Sequence, residues 1–190
     1  MRIIAGEFRG RQLASVGKGD AAAHLRPTTD RVRESLFNML GGGRFGNPFD
    51  QARVLDLFAG TGALGLEAMS RGATSAVFVD DGRKALSLIK ANIKTLGCAN
   101  TRVLSRDATR LSLCDETPAT LVFLDPPYGK SLGNKALASA VAGKWISDGA
   151  LIVWEENSPQ IAPDGFTKLD TRRYGDTHVT LLRYDDSTGS

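Results

Sequence analysis

Four consecutive residues, Asp125, Pro126, Pro127 and Tyr128, follow the apolar run 121–124 and combine groups that can hold a planar amine. The two prolines fix the backbone and remove two N–H donors, which leaves carbonyl oxygens directed at the site. The Asp125 carboxylate and a proline carbonyl can together accept two hydrogen bonds from an exocyclic NH2 group. The Tyr128 ring offers a face on which an extruded base can stack, and its hydroxyl is not needed for that contact. These residues therefore predict N-methylation of a nucleobase, with positioning of the nitrogen supplying much of the rate.

A glycine loop lies earlier in the chain, between an apolar run and a helical pattern. Gly60, Gly62 and Gly65 satisfy the pattern GxGxxG, and Asp80 closes the next apolar run. A loop in this context binds a nucleoside-containing cofactor, and an acid at this spacing accepts hydrogen bonds from the ribose hydroxyls. The loop alone does not distinguish a nicotinamide dinucleotide from S-adenosylmethionine.

Two further carboxylates favour S-adenosylmethionine. Asp56 lies in the first apolar run, shortly before Gly60, where a dinucleotide enzyme usually has an apolar residue. There it can bind the ammonium group of a methionine, directly or through water, whereas it would lie close to a pyrophosphate. Asp107, followed by Ala108, comes after the third predicted strand and places a polar group where an adenine amino group would lie.

The elements that position these residues alternate between short apolar runs and amphipathic segments. Strands are predicted at 54–58, 76–79, 102–104, 120–124 and 150–154, and helices at 63–71, 83–96 and 134–142, with a weaker helical pattern at 109–113. Such alternation predicts a mostly parallel sheet with helices on both faces. Two last runs, 166–169 and 178–184, predict an antiparallel pair at one edge. In an open α/β sheet ligands bind outside the carboxyl ends of the strands, so the two motifs face one crevice.

The positive charge of the chain is concentrated near its beginning. Residues 1–33 hold seven basic and three acidic side chains, which gives this segment a net charge of +4. Because the whole chain has a net charge of +3, the remaining residues carry a net charge of −1. In residues 1–13, apolar and polar side chains alternate around two glycines, and this pattern predicts a β-hairpin. A helix is expected between Thr28 or Thr29 and the glycines at 41–43. A basic segment on a neutral body suggests a polyanion partner, although a solvated arm is the alternative. The candidate nucleic-acid-binding residues are Arg2, Arg9, Arg11 and Arg31.

Length and composition point to one ordinary globular unit. The chain has 190 residues, of which 42% are hydrophobic and 24% charged, and no run approaches the roughly 20 apolar residues that span a bilayer. Its two cysteines are too few for a disulfide framework, and their spacing is not that of a zinc site. We expect a cytoplasmic protein without a secretory signal, with a basic hairpin extension and loop at 1–24 and a catalytic domain at 25–190.

The ordered motifs at 25–38, 54–73, 77–80, 124–128 and 174–177 resemble the RsmD family over nearly the whole chain. These bacterial S-adenosylmethionine-dependent methyltransferases modify the exocyclic N2 of guanine 966 in 16S ribosomal RNA. The resemblance implies a class I methyltransferase fold, which is Rossmann-like, with seven strands, the last one antiparallel, and an N-terminal β-hairpin extension. The implied partner is 16S rRNA within a partly assembled small subunit, with neither a membrane nor a metal involved.

The resemblance also assigns residues to the cofactor and the base. By position, the methionine end of S-adenosylmethionine falls to Asp56, Phe58, Ala59, Gly60 and Gly62. Asp107 and Ala108 would flank the adenine, and Arg26 and Thr28 would close over the cofactor. The guanine would bind at Asp125, Pro126, Pro127 and Tyr128. The ribose falls to Asp80, but the family often has Glu there, and Asp81 follows, so either carboxylate could bind the ribose.

Three other functions remain open on the sequence. An Asp-Pro-Pro-Tyr site would serve a DNA adenine-N6 or cytosine-N4 methyltransferase, although the chain has little room for a DNA-recognition domain. An NAD-dependent oxidoreductase would use the glycine loop but would have no role for Asp125 or Tyr128. A non-catalytic RNA-binding module would not need the carboxylates at Asp56, Asp80 and Asp125.

Overall fold

The structure is a computed structural model that describes residues 1–15 and 29–186. The helices within these ranges are α1 (Asp30–Leu40), α2 (Ala63–Ser70), α3 (Arg83–Leu96) and α4 (Leu132–Ala142). The strands are β1 (Arg53–Leu57), β2 (Ser75–Asp80), β3 (Thr101–Ser105), β4 (Ala119–Leu124), β5 (Ile146–Glu156), β6 (Phe166–Tyr174) and β7 (Thr177–Tyr184).

The strands form one mixed sheet in the order β3-β2-β1-β4-β5-β7-β6. Strands β1 to β5 are parallel, whereas β7 runs antiparallel to both β5 and β6. The chain proceeds outward from β1 to β3 and then returns to β4 on the other side of β1. The crevice outside the carboxyl ends of β1 and β4 is therefore the topological switch point, where ligands bind in such sheets. The predicted α/β class and the antiparallel pair at the edge are confirmed.

Helices cover both faces of the sheet, as predicted. On one face, which we call the α1 face, Leu36, Phe37 and Leu40 of α1 pack with residues of α2 and α3. The Phe37 and Phe123 rings lie 5.6 Å apart between their centroids. On the opposite face, the α4 face, buried residues of α4 pack against Leu124 and other strand residues. Successive strand residues alternate between the two faces.

Helix limits follow local signals that the sequence carries. Helix α1 begins after Thr29, whose side chain accepts a hydrogen bond from the Val32 N–H at 3.3 Å, as expected of an N-cap residue. Helix α3 has the limits that the sequence pattern predicts, and it ends at Gly97, which has a φ of 65°.

The predicted helix at 109–113 is wrong, because those residues form no helix in the structure. The Asp107 carboxylate accepts the Thr109 N–H at 2.8 Å and the Thr109 hydroxyl at 2.7 Å. The Leu111 N–H donates to the Ser139 hydroxyl on α4 at 2.8 Å. These side chains satisfy the backbone in a turn and thereby compete with helix formation.

The first residues pair antiparallel, as expected of the hairpin extension. The Ile3 N–H donates to the Arg11 carbonyl and the Leu13 N–H to the Met1 carbonyl, both at 3.0 Å. Ile3 and Leu13 are buried on the α1 face. The boundary expected between residues 24 and 25 lies outside the described residues and remains a prediction. In the part of the chain that the structure covers, no helix combines the length and apolarity needed to cross a membrane.

Candidate active site

The loops that follow β1 and β4 meet at the switch point. The Asp125 N–H lies 3.4 Å from the Leu57 carbonyl and joins the ends of the two strands. The loop after β1 begins with Phe58, whose φ of 59° is unusual for a residue other than glycine. Its Ala59 N–H donates to the Val79 carbonyl of β2 at 3.0 Å. The glycine loop therefore lies between β2 and the Asp-Pro-Pro-Tyr run.

Gly65 allows α2 to approach the sheet closely. A Cβ atom at this position would lie 2.5 Å from the Phe78 ring and 3.0 Å from an Asp56 carboxylate oxygen. The Gly65 N–H donates to that carboxylate at 3.0 Å. Asp56 is 1% exposed, and its burial raises its pKa to about 8. The carboxylate thus holds the start of α2 behind the glycine loop.

Asp80 lies at the side of the same loop. One carboxylate oxygen accepts the Gly60 N–H at 2.9 Å, and the other accepts the Gly82 N–H at 2.8 Å. Burial raises the pKa of Asp80 despite these two bonds. Asp81 is exposed. Of the two carboxylates that sequence reasoning left open for the ribose, Asp80 is the one in contact with the glycine loop.

The predicted adenine residues follow the turn after β3. Ala108 is buried on the α4 face, whereas Asp107 is exposed and accepts the two bonds from Thr109 described above. These hydrogen bonds lower the pKa of Asp107.

Asp125 and Glu155 bring two carboxylates together on adjacent strands. Leu124 of β4 pairs with Trp154 of β5, and both pack on the α4 face. The residues that follow them therefore extend toward the α1 face. Burial, together with the charge of Glu155, raises the pKa of Asp125 well above its usual range. A group that supplies two hydrogen-bond donors or a positive charge would relieve this repulsion.

The Tyr128 hydroxyl bonds to two residues that sequence reasoning missed. It donates to the Glu155 carboxylate at 3.1 Å, and its oxygen lies 3.2 Å from the Thr177 hydroxyl. Glu155 is 5% exposed. The adjacent Glu156 accepts the Gly129 N–H at 3.4 Å. The ends of β5 and β7 therefore hold the Asp-Pro-Pro-Tyr loop from the side.

Buried polar groups behind the site fasten the N-terminal segment to α2. The Glu67 carboxylate accepts the Ile4 N–H at 2.8 Å, the Ala5 N–H at 3.0 Å and the Arg71 Nε–H at 2.8 Å. The Arg33 guanidinium lies 3.8 Å from the same carboxylate, and both side chains are fully buried. Sequence reasoning did not predict this network.

Asn92 of α3 forms a second buried link. Its side-chain amide donates to the Thr61 carbonyl of the glycine loop at 2.9 Å and to the Ala14 carbonyl at 3.1 Å. The Ala14 N–H donates back to the amide oxygen at 2.7 Å. The segment before residue 16 is therefore tied directly to the glycine loop.

The predicted nucleic-acid-binding arginines differ in their surroundings. Arg2, Arg9 and Arg31 are exposed. The Arg11 guanidinium donates to the carbonyls of Thr95 and Leu96 in the last turn of α3. Arg11 thus lies against the end of α3, about one turn beyond Asn92. Binding of RNA by these residues remains a prediction, and Arg26 and Thr28 lie outside the described residues.

Three comparisons with known proteins agree on what this chain is similar to. The family model described as “Conserved hypothetical protein 95” matches residues 1–183. The chain is 39% identical over 155 residues to Ribosomal RNA small subunit methyltransferase D of Escherichia coli (strain K12), covering 82% of this chain and 74% of that protein. It is 34% identical over 182 residues to the protein of the same name from Haemophilus influenzae, covering 92% and 89%. The solved structure “Putative methyltransferase yhhF from Escherichia coli” superposes with a TM-score of 0.79 at 34% identity, covering 97% and 98%.

Proposed function

Because the chain belongs to the RsmD family, the family described as conserved hypothetical protein 95, we propose that it methylates ribosomal RNA. The finer proposal is transfer of a methyl group from S-adenosylmethionine to the exocyclic N2 of a guanine in 16S rRNA, within a partly assembled small subunit. The observation that carries it is the meeting of Asp125, Tyr128 and Glu155 beside the glycine loop.

The residues around the glycine loop fit S-adenosylmethionine. A carboxylate offers about four acceptor positions, so the Asp80 bonds to Gly60 and Gly82 leave capacity for ribose hydroxyls. Burial raises the pKa of Asp56 behind the loop, and the cationic methionine end would favour the ionised form of this carboxyl. When bound, S-adenosylmethionine supplies an electrophilic methyl group.

Asp125 and a proline carbonyl orient the target amine in the proposed mechanism. Both groups accept hydrogen bonds from the NH2, so that the nitrogen lone pair points at the methyl group. Tyr128 stacks on the base, and its hydroxyl bonds to Glu155 and Thr177 fix the ring. The nitrogen loses its proton during or after transfer, so the reaction depends mainly on positioning.

The two neighbouring carboxylates support guanine over the other bases. In guanine the exocyclic amine lies beside a ring N–H, so two adjacent donors face the protein. In adenine and cytosine the amine lies beside a ring nitrogen that accepts. Carboxylates only accept hydrogen bonds when ionised, and the two donors of guanine would favour the ionised forms of Asp125 and Glu155, which the acceptor nitrogen of the other two bases would not.

Calorimetric titration with S-adenosylmethionine and with NAD tests the cofactor assignment. We expect saturable binding of S-adenosylmethionine and none of NAD. Binding of NAD alone would contradict the proposal and favour an oxidoreductase.

Replacing Asp80 with alanine should weaken S-adenosylmethionine binding about tenfold or more. The variant loses charge-assisted hydrogen bonds to the ribose, each worth about 1.5–3 kcal/mol. Calorimetry of Asp80→Ala beside Asp81→Ala measures this, because Asp81 is the exposed neighbour. A loss of affinity in Asp81→Ala alone would move the ribose contact to that residue.

The structure gives the Tyr128 hydroxyl a role that sequence reasoning did not expect. Tyr128→Phe removes the donor to buried Glu155, a change that costs about 1–3 kcal/mol at a buried partner. We expect kcat/KM for RNA to fall roughly tenfold, while affinity for S-adenosylmethionine is unchanged. Thr177→Val, which removes only the second contact, should lose less. Wild-type kcat/KM in Tyr128→Phe would show that stacking alone determines the contribution of this residue.

A further inference from the structure

A pair of arginines at the edge of the α1 face is joined by one carboxylate. Asp170 of β6 accepts the Arg44 Nη1–H at 2.7 Å and the Arg172 Nε–H at 2.8 Å on the same oxygen. The Asp170 side chain is 18% exposed, whereas those of Arg44 and Arg172 are 56% and 48% exposed. Each guanidinium has five N–H donors, so most of them face solvent beside a fixed anchor.

Strand register places Arg172 two strands away from Glu155 of the candidate active site. Glu155 pairs with Val179 of β7, and Val179 pairs with Arg172 of β6. Val179 is buried on the α1 face, so Glu155 and Arg172 extend from that same face. At about 4.8 Å between neighbouring strands, the two residues are separated by about 10 Å. Arg172 is thus within reach of the sugar–phosphate backbone beside a base bound at Asp125 and Tyr128, and Asp170 links it to Arg44.

The charged residues of β6 differ between its two ends. Arg173 is exposed next to Arg172, whereas the exposed Lys168 pairs with Leu182 near the other end of the strand. Near the other end of the pair β6–β7, Arg183 has Asp185 and Asp148 close enough to raise its pKa. The carboxyl edge also carries Glu155, Glu156 and the exposed Asp176, so the guanidinium groups themselves, and not a net positive surface, would attract the anion.

We propose that Arg44 and Arg172, held side by side by Asp170, bind a backbone phosphate of the RNA next to the methylated base. Planar guanidinium groups recognise phosphate oxygens through paired hydrogen bonds. This inference rests on the proposed function, because it takes RNA as the substrate. A purely structural role is the alternative, since charged side chains on an edge strand also prevent sheet-to-sheet pairing.

Arg183 provides a matched control for Arg172. Its Nε–H donates to Asp185 at 2.8 Å, its side chain is also 48% exposed, and it lies toward the amino edge, where it lines one cavity with Arg44 but is not bonded to Asp170. Binding of a labelled 16S rRNA fragment would be measured by fluorescence anisotropy over a range of salt concentrations. We expect Arg172→Ala to weaken binding about tenfold and to lower the log–log salt slope by about 0.7. Arg183→Ala should change affinity less than twofold.

Two further variants separate phosphate binding from folding. Arg172→Lys keeps the charge, so the salt slope should stay as in the wild type while part of the affinity is lost. Arg44→Ala combined with Arg172→Ala should lose less than the product of the single losses, because both arginines contact one phosphate.

Equal effects of Arg172→Ala and Arg183→Ala, or none in either, would overturn the phosphate site. The binding measurement does not require methyl transfer. If the wild type binds RNA through Arg172 but methylates no RNA, the proposed function fails while the phosphate site stands. If the wild type methylates RNA and Arg172→Ala binds it as the wild type does, only the phosphate site fails.

Discussion

Replacing Asp125 with alanine should abolish methyl transfer while affinity for S-adenosylmethionine is largely kept. Asp125 lies at the end of β4 beside Glu155 and away from Asp80, the carboxylate in contact with the glycine loop. Without one of two acceptors the target nitrogen can rotate away from the methyl group. A misplacement of about 1 Å can reduce the rate on the order of a hundredfold. Single-turnover assays at saturating S-adenosylmethionine and RNA measure this step directly.

Asp125→Asn is the matched control, because its amide oxygen still accepts a hydrogen bond. We expect its rate to lie between those of the wild type and the alanine variant. A near wild-type rate in Asp125→Ala would contradict the proposed role of the carboxylate.

Replacing Glu67 with alanine should lower the free energy of unfolding by about 3–5 kcal/mol, because it removes a fully buried carboxylate and leaves the buried Arg33 guanidinium with only the partly exposed Asp30, at 2.6 Å, as its counter-ion. It also removes the acceptor for the Ile4 and Ala5 N–H groups. Urea denaturation followed by circular dichroism measures the change. Glu34→Ala on the exposed side of α1 is the control and should change the free energy of unfolding by less than about 0.5 kcal/mol.

A loss in Glu67→Ala no greater than that in Glu34→Ala would show that the buried network contributes little to stability. Such a result would also mean that the N-terminal segment does not need Glu67 to remain on α2.

The order of strands and helices could be predicted because buried parallel strands appear as short apolar runs in the sequence. The limits of helices could also be predicted, because they depend on local residues such as the N-cap residue Thr29 and the C-cap residue Gly97. The pattern at 109–113 misled because Asp107 bonds to the backbone two residues on, which hydrophobic spacing does not reveal.

Residues that depend on tertiary contacts could not be predicted. Glu67 and Arg71 have the spacing of an ordinary surface pair on a helix, and only the packing of the N-terminal segment buries Glu67. The contact of Arg11 with α3 could not be predicted either, because Leu96 is distant in sequence. Glu155 did carry a signal, since a polar residue directly follows the apolar run 150–154 at the carboxyl end of a strand.

The most direct test is the identity of the methylated nucleoside. The purified protein would be incubated with methyl-labelled S-adenosylmethionine and small ribosomal subunits from a strain that lacks this gene, followed by digestion of the 16S rRNA and mass spectrometry. We expect the label in N2-methylguanosine, with none when Asp125→Ala replaces the wild type. Label in N6-methyladenosine or N4-methylcytidine, or no transfer to 16S rRNA, would contradict the proposed function.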